Sequence, residues 1–275
     1  MILRIDYSFD LPAERVAAEW RKSSWQATAD VQRQIDVAWS AAMQVPGRSL
    51  FNGPMCRLES FWVSDNGVCI GMSRTSYKTF WGTNLSHPEL ADLHGPSVLA
   101  NPIGVSPALE TADGWLLMGR RNERVAYYPG RIHPFAGCLE PADANAGTDA
   151  PNLFTAVKRE LAEELRLTSS DIQLVRLTGL AYDVQLRQPE LIFRVKTTHP
   201  RRTIESQIDA AEHDGVVAVR ALAVDVAAAV DDGIAQQTFT PVAAASLLLW
   251  GRSRFGHAWY AATASRAGVE LSQQP

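Results

Sequence analysis

One run constrains this chain more than any other: Arg159-Glu160-Leu161-Ala162-Glu163-Glu164-Leu165. Read as a helix, it puts Glu160, Glu163 and Glu164 at i, i+3 and i+4, so three carboxylates share one face. Phe154, Val157, Leu161 and Leu165 recur at helical spacing and form an apolar stripe away from those acids. Such a helix can bury the stripe against a sheet and still present its acids. Like charges this close repel one another, and a divalent cation with hard oxygen ligands relieves the repulsion, so Mg²⁺, with Mn²⁺ as a substitute, is the expected cofactor. Mg²⁺ in turn points to a phosphate. A helix face that is merely solvated has the same local pattern, and the flanking residues decide between the two.

Upstream stand Gly137 and Glu140, and the run closes on Arg166-Leu167. With these flanks the segment resembles the Nudix hydrolase signature, a Gly, then a Glu, then Arg-Glu-apolar-x-Glu-Glu-x-Gly-apolar. There are two departures. Residues 141–152 lengthen the loop between the halves, and Arg166 stands where the signature has its second glycine. Neither removes a carboxylate.

The resemblance implies an α/β fold, a Nudix α/β/α sandwich with a small N-terminal α+β domain, and hydrolysis of a phosphoanhydride. It implies Glu160, Glu163 and Glu164 as metal ligands, with one of them, Glu160 by preference, as base for water. Arg159 is expected to orient a signature glutamate through a charge-assisted pair. A backbone oxygen for the ion is expected from Gly137, or from Ala136 beside it, since a small residue allows close approach. For an outlying carboxylate there are two candidates, Glu212 and Glu190.

At 275 residues the chain can bury a full core and has room for one large or two modest domains. Its net charge of −4 lacks the basic footprint that nonspecific binding to nucleic acid or anionic membrane needs, so a small-molecule partner is expected. Cys56, Cys69 and Cys138 are odd in number, with no C-x-x-C pair and no His at zinc spacing, and read as reduced thiols. The opening MILRIDYSFDLPAERV has acids and a Pro where a signal peptide has its apolar core. No later run approaches the roughly 18 apolar residues of a membrane span, and a cytoplasmic protein is the expectation.

Taken in order, residues 2–9 alternate like a strand, and Leu11-Pro12 with Glu14 opens a helix. Val16 and Trp20, then Val31, Ile35 and Trp39, mark two helical stretches. Residues 56–64 and 68–74 flank Asp65-Asn66-Gly67, a strong hairpin signal. Residues 1–95 therefore read as a small domain, with substrate recognition as its expected role, and 96–275 as the hydrolase domain. In the latter, 104–110 and 115–121 read as paired strands joined at Asp113-Gly114. Strands are expected at 173–182, 191–196 and 216–219, and helices at 204–211, 221–230 and 241–250, the last capped by Thr240. Residues 142–150 read as a mobile loop.

The segment 74–84, RTSYKTFWGTN, is dense in hydroxyls, amides and aromatics. Together with Asn101-Pro102-Ile103-Gly104-Val105, Thr111-Ala112-Asp113, Arg120-Arg121, Pro129-Gly130 and Gly137-x-x-Glu140-Pro141, it is similar to the UDP-glucose pyrophosphatase branch of the Nudix superfamily. That resemblance runs, with gaps, over residues 56–255. It implies a UDP-hexose substrate, UDP-glucose or UDP-galactose, cleaved with water to UMP and hexose 1-phosphate. Arg120 and Arg121 would fork onto the pyrophosphate. Tyr77, Phe80 or Trp81 could stack on the base, and Thr83 or Asn84 could bond its edge or the sugar, with core packing as the alternative for Phe80 and Trp81. Glu190 is a further substrate-binding candidate, and His133 reads as a strand histidine near the signature. Two other functions remain open: cleavage of another nucleoside diphosphate derivative such as ADP-ribose, a dinucleotide or coenzyme A, and a catalytically silent nucleotide-binding module. No G-x-S-x-G elbow suggests a serine hydrolase.

Overall fold

The alternating segments assemble into two sheets in the computed structural model, which describes residues 2–22, 25–46, 50–144, 149–209 and 212–272. In chain order the elements are β1 (Leu3–Leu11), β2 (Val16–Trp20), α1 (Ala29–Met43), β3 (Pro54–Ser64), β4 (Gly67–Ser76), α2 (Tyr77–Phe80) and α3 (Leu90–His94). There follow β5 (Gly104–Glu110), β6 (Trp115–Arg121), β7 (Ile132–His133), β8 (Gly137–Cys138), α4 (Leu153–Leu165), β9 (Ile172–Asp183) and β10 (Gln188–Thr197). The last are α5 (Arg201–Glu205), β11 (His213–Arg220), α6 (Ala223–Ala235), α7 (Pro241–Phe255), α8 (His257–Arg266) and β12 (Glu270–Leu271).

The larger sheet runs β11-β6-β5-β10-β9-β1-β12. β5 and β10 are parallel, in register from Gly104 opposite Glu190 to Glu110 opposite Lys196. β5 and β6 pair only at Leu109–Leu117 and Glu110–Leu116 and then diverge. β8 pairs with β5, and β7 with β6, inside that split.

Side chains alternate across the sheet, as the pleat requires. Leu191, Phe193 and Val195 pack with Val157, Leu161 and Leu165 of α4. Ile192, between them, packs on the opposite face with Leu247, Leu248 and Trp250 of α7 and Val226 and Val230 of α6. The expected α/β/α sandwich therefore forms. α7 is buried all round from Pro241 to Gly251, as its Val-Ala-Leu run, interrupted by Ser246 alone, requires of a helix without a polar face. Its cap is Thr240, whose side chain accepts from the Ala243 N–H.

The expected division at residue 95 does not follow the sheets. β1 lies inside the large sheet, antiparallel to β9 and parallel to β12, because Leu3 and Ile5 belong to the core beneath α7. The smaller sheet, β2-β4-β3, shares one apolar cluster with α4 and β10: Val68, Ile70 and Met72 pack into the same group as Leu161 and Phe193.

Two helical expectations are corrected. Residues 13–15 make a single 3₁₀ turn, and residues 16–20 form a strand parallel to β4, from Val16 opposite Val68 to Trp20 opposite Met72. Val16 and Trp20 are four apart, which suits either a helix face or alternate strand positions, and pairing with β4 decided it. The helix expected at 204–211 is instead α5, which ends at Glu205; residues 210–211 lie outside the described set. Of the loop expected at 142–150, Pro141–Asp143 forms a 3₁₀ turn and Ala144 bridges to Pro151, while 145–148 lie outside the described residues. Among the described residues no helix is long and apolar enough to cross a membrane.

Candidate active site

α4 begins where the Asn152 side chain accepts the N–H groups of Phe154 and Thr155, and ends on Arg166 in left-handed backbone at φ 56°. That is the position at which the Nudix signature carries glycine, the residue that adopts this conformation most cheaply. Arg166 adopts it at a cost of about 1–2 kcal/mol.

The three acids of α4 do not share one environment. Glu160 and Glu164 are buried between helix and sheet, whereas the Glu163 side chain is 59% exposed. The bare backbone of Gly137 makes room for the first: a Cβ there would lie 2.0 Å from Glu160 Oε1. The role expected of Gly137 was a carbonyl for an ion; what the fold places against it is a carboxylate. Ala136 contributes its N–H, which bonds to Glu164.

Arg159 holds this group together and saturates its five N–H bonds. Nε donates to Asp143 at 2.8 Å, one terminal nitrogen to Glu160 at 2.8 Å and Glu163 at 3.2 Å, and the other to the Cys138 carbonyl at 3.0 Å and Asp143 at 3.2 Å. Asp143 is buried and also accepts the Glu140 N–H at 2.8 Å, so the 3₁₀ turn before the loop is tied to the helix after it.

Of the two outlying acids, Glu212 joins the α4 carboxylates. Glu160, Glu163, Glu164, Asp209 and Glu212 line one recess of about 180 Å³. Donor atoms of Glu164, Glu212 and His213 all lie within 4.8 Å of one another. Glu190 is elsewhere: it is buried across from Gly104, where a Cβ would lie 2.1 Å from its carboxylate, and it accepts the Ser106 hydroxyl at 2.9 Å.

Burial is the main cause that drives the Glu160 pKa up to about 8, and the neighbouring charges of Glu164 and Glu163 add to it against the pull of Arg159. Glu164 is pushed well above the usual carboxylate range by burial and then by Glu212, with Arg121 opposing. Glu190 is raised to about 8 by burial, opposed by its Ser106 bond. Carboxylates held together at this cost are a donor set that fits a hard divalent cation.

Alternation along β6 separates the two arginines expected at a pyrophosphate. Arg121 points inward, buried, with Nε donating to the Tyr127 carbonyl at 3.1 Å and its guanidinium 4.7 Å from the Tyr127 ring centroid. Arg120 is exposed and donates to the Gly130 carbonyl at 3.4 Å.

Thr83 and Asn84 are fully enclosed, which corrects their expected place at a base edge. Thr83 Oγ1 donates to the Thr79 carbonyl at 2.7 Å and accepts the Ala100 N–H at 3.1 Å. Asn84 Nδ2 donates to the carbonyls of Leu186 at 2.9 Å and Arg187 at 3.1 Å. Their polar atoms are consumed in tying the turn after α2 to the β9–β10 connection. Asn84→Ala is therefore expected to lower stability by about 1–3 kcal/mol, because a buried carbonyl and a part-buried one lose their donor. Thermal denaturation checks it, and an unchanged Tm would return Asn84 to a role outside the fold.

Phe80 is core, packed edge-on to Tyr127 with centroids 6.1 Å apart. Tyr77 and Trp81 are half-buried, 6.2 Å from each other, and Tyr77 also meets Trp39 at 6.1 Å. Cys138 and Tyr127 pack against the same cluster, so the aromatic segment reaches the strand that faces Glu160. His133 is buried with Nδ1 2.9 Å from Thr240 Oγ1, a structural place at the head of α7. Sequence reasoning missed Asp143, Asp209 and His213, none of which stands at a fixed spacing from the acids of α4.

No protein-family model matches the chain. Among curated proteins, Nudix hydrolase 9 of Arabidopsis thaliana is 24% identical over 213 residues, 66% of this chain and 68% of that one. In sequence, this chain resembles the Nudix hydrolases. Within them it is similar to the uridine diphosphate glucose pyrophosphatase NUDT22 of Bos taurus, 30% identical over 173 residues, or 54% of this chain and 59% of that protein. It is likewise similar to the Homo sapiens protein of that name, 31% identical over 156 residues, 48% and 52% of the two chains. The matches to these pyrophosphatases thus span little more than half of the relatives' own length. A crystal structure of a NUDIX hydrolase from Alicyclobacillus acidocaldarius overlaps 53% of this chain and 90% of its own at 13% identity, with a TM-score of 0.40.

Proposed function

We propose that this chain is a divalent-cation-dependent pyrophosphohydrolase that cleaves a nucleoside diphosphate sugar, UDP-glucose or UDP-galactose, to UMP and hexose 1-phosphate. The observation that carries the reading is the recess in which Glu160, Glu163, Glu164 and Glu212 converge beside a saturated Arg159. Those four acids would hold Mg²⁺ or Mn²⁺. When bound, the cation supplies charge neutralisation at the phosphate oxygens and lowers the pKa of water.

The chain's own residues supply the rest. Glu160, wedged between Arg159 and Gly137, is the carboxylate placed to take a proton from water once a bound cation and Arg159 hold it ionised. As water adds to phosphorus, the anhydride P–O bond breaks and the bridging oxygen leaves with the departing phosphate. Arg159 keeps the Glu160 and Glu163 carboxylates in place, and the buried charge of Arg121 favours the ionised form of Glu164. Preference for a uridine sugar is supported by the activity that the relatives' names carry and by the aromatic segment around Tyr77, which packs on the same apolar cluster as Tyr127 and Cys138.

The test is a substrate panel of UDP-glucose, UDP-galactose, ADP-ribose, a dinucleotide and coenzyme A, each with Mg²⁺, with Mn²⁺ and with EDTA, read by chromatography. The UDP-hexoses are expected to turn over fastest, releasing UMP and hexose 1-phosphate, and EDTA to abolish turnover. Faster cleavage of another substrate would reassign the specificity. Binding of nucleotide without hydrolysis of any substrate would make the chain a silent module.

A further inference from the structure

We infer that His213 is a positioning residue: its Nε2–H fixes the carboxylate of Glu164 in the orientation that receives the cation, and the imidazole itself does not ligate the ion. This rests on reading the acidic recess as a divalent-cation site. His213 opens β11, opposite Arg121 of β6, and is buried. Its Nε2 lies 3.1 Å from Glu164 Oε2. Its Nδ1 is turned the other way, over Gly119, where a Cβ would come within 2.2 Å of it. The Phe135 ring meets the imidazole edge-on at 5.1 Å and closes that side. Nδ1 has no hydrogen-bond partner among the described residues.

These contacts select one tautomer. With the proton on Nε2, the ring donates to Glu164, and Nδ1 presents only a lone pair to an apolar wall. With the proton on Nδ1, a buried N–H would be unpaired, and beside an ionised Glu164, the form a cation ligand takes, two lone pairs would face each other across 3.1 Å. The same tautomer weighs against ligation. A neutral imidazole that bound a cation through Nε2 would carry its proton on Nδ1, and ligating histidines almost always give that second N–H an acceptor. Gly119 and Phe135 offer none. His213 therefore acts through Glu164, whose carboxylate is held by two donors, His213 Nε2–H and the Ala136 N–H, with its remaining lone pairs free for a cation.

The experiment uses Mn²⁺ as the probe and does not depend on turnover. Free Mn²⁺ is measured by electron paramagnetic resonance during titration of wild type, His213→Ala and His213→Gln. The Ala variant is expected to bind Mn²⁺ about 10–100-fold more weakly, the range seen when an outer partner of a metal ligand is lost. The Gln variant, which keeps a donor in the place of Nε2–H, is expected to recover most of that loss. Electron spin echo measurements on Mn²⁺-loaded wild type are expected to show no directly coordinated imidazole nitrogen. A strong coupling from such a nitrogen would overturn the inference, as would wild-type Mn²⁺ affinity in His213→Ala. If that variant does not fold, the Gln variant and the wild-type spectrum still decide. Failure of the wild type itself to bind Mn²⁺ would overturn the cation site, and with it both this inference and the proposed function.

Discussion

Glu164→Gln is expected to lose hydrolysis by about 10²–10⁴-fold, the scale on which a group acting in the chemical step is missed, while the cation-free protein becomes more stable. The two effects have one cause. Glu164 is 6% exposed, and burial together with Glu212 disfavours its charge. Glutamine keeps its volume and one oxygen to accept from His213 and Ala136, but removes the buried charge. Where the carboxylate is ionised the native state is strained, and the neutral amide relieves the strain at the expense of a cation ligand. Such opposition between activity and stability is common at functional sites. Release of UMP from UDP-glucose measures the first effect, and Tm in EDTA at pH 8 the second. A large fall in Tm would mean that Glu164 serves the fold instead. Glu163→Gln separates the contributions further: its side chain is 59% exposed, so the same loss of activity is expected without the gain in stability.

Stability of the cation-free protein is expected to fall as pH rises, and a divalent cation to flatten that fall. Glu160 has a folded pKa near 8 against 4.5 for the ordinary side chain, so between those values the native state binds more protons than the unfolded chain. The stability is fully present below about pH 4.5 and is lost as pH rises through about 8. At about 1.4 kcal/mol per pH unit the loss is on the order of a few kcal/mol. Glu190, also raised to about 8, contributes a loss of the same sign. It lies on β10 beside β5 and outside the acidic recess, so only the part from the recess acids Glu160 and Glu164, the latter raised in the same direction, should respond to Mg²⁺. Melting curves from pH 5.5 to 8.5, with EDTA or Mg²⁺, for wild type and Glu190→Gln, separate the two. The same slope with and without Mg²⁺ would place no cation near Glu160.

Features governed by local chemistry were legible in the residues. The apolar stripe of α4, its cluster of acids, the Thr240 cap and the hairpin at Asp65-Asn66-Gly67 all depend on neighbours within a few positions. So does the link from Arg159 to its adjacent glutamates, which are one and four residues away. Glu212 and Glu190, by contrast, were equivalent as residues: each is an acid beside a strand. Which one reaches α4 depends on β11 pairing antiparallel with β6 and β10 pairing with β5.

The sequence by itself determined that an amphipathic helix with an acidic face would dock on a sheet, because helical period and charge repulsion are properties of the segment. Only the tertiary structure decided how that face is divided and completed. It buried Glu160 and Glu164 and left Glu163 in solvent, because the first two stand one turn apart on the side toward β8 and His213. It turned Arg121 inward and Arg120 outward through the pleat of β6. It enclosed Thr83 and Asn84 by bringing the β9–β10 connection over them, 102 residues along the chain from Asn84 to Leu186. Contacts at that separation leave no periodicity in the residues between, so they become visible only when the strands are paired.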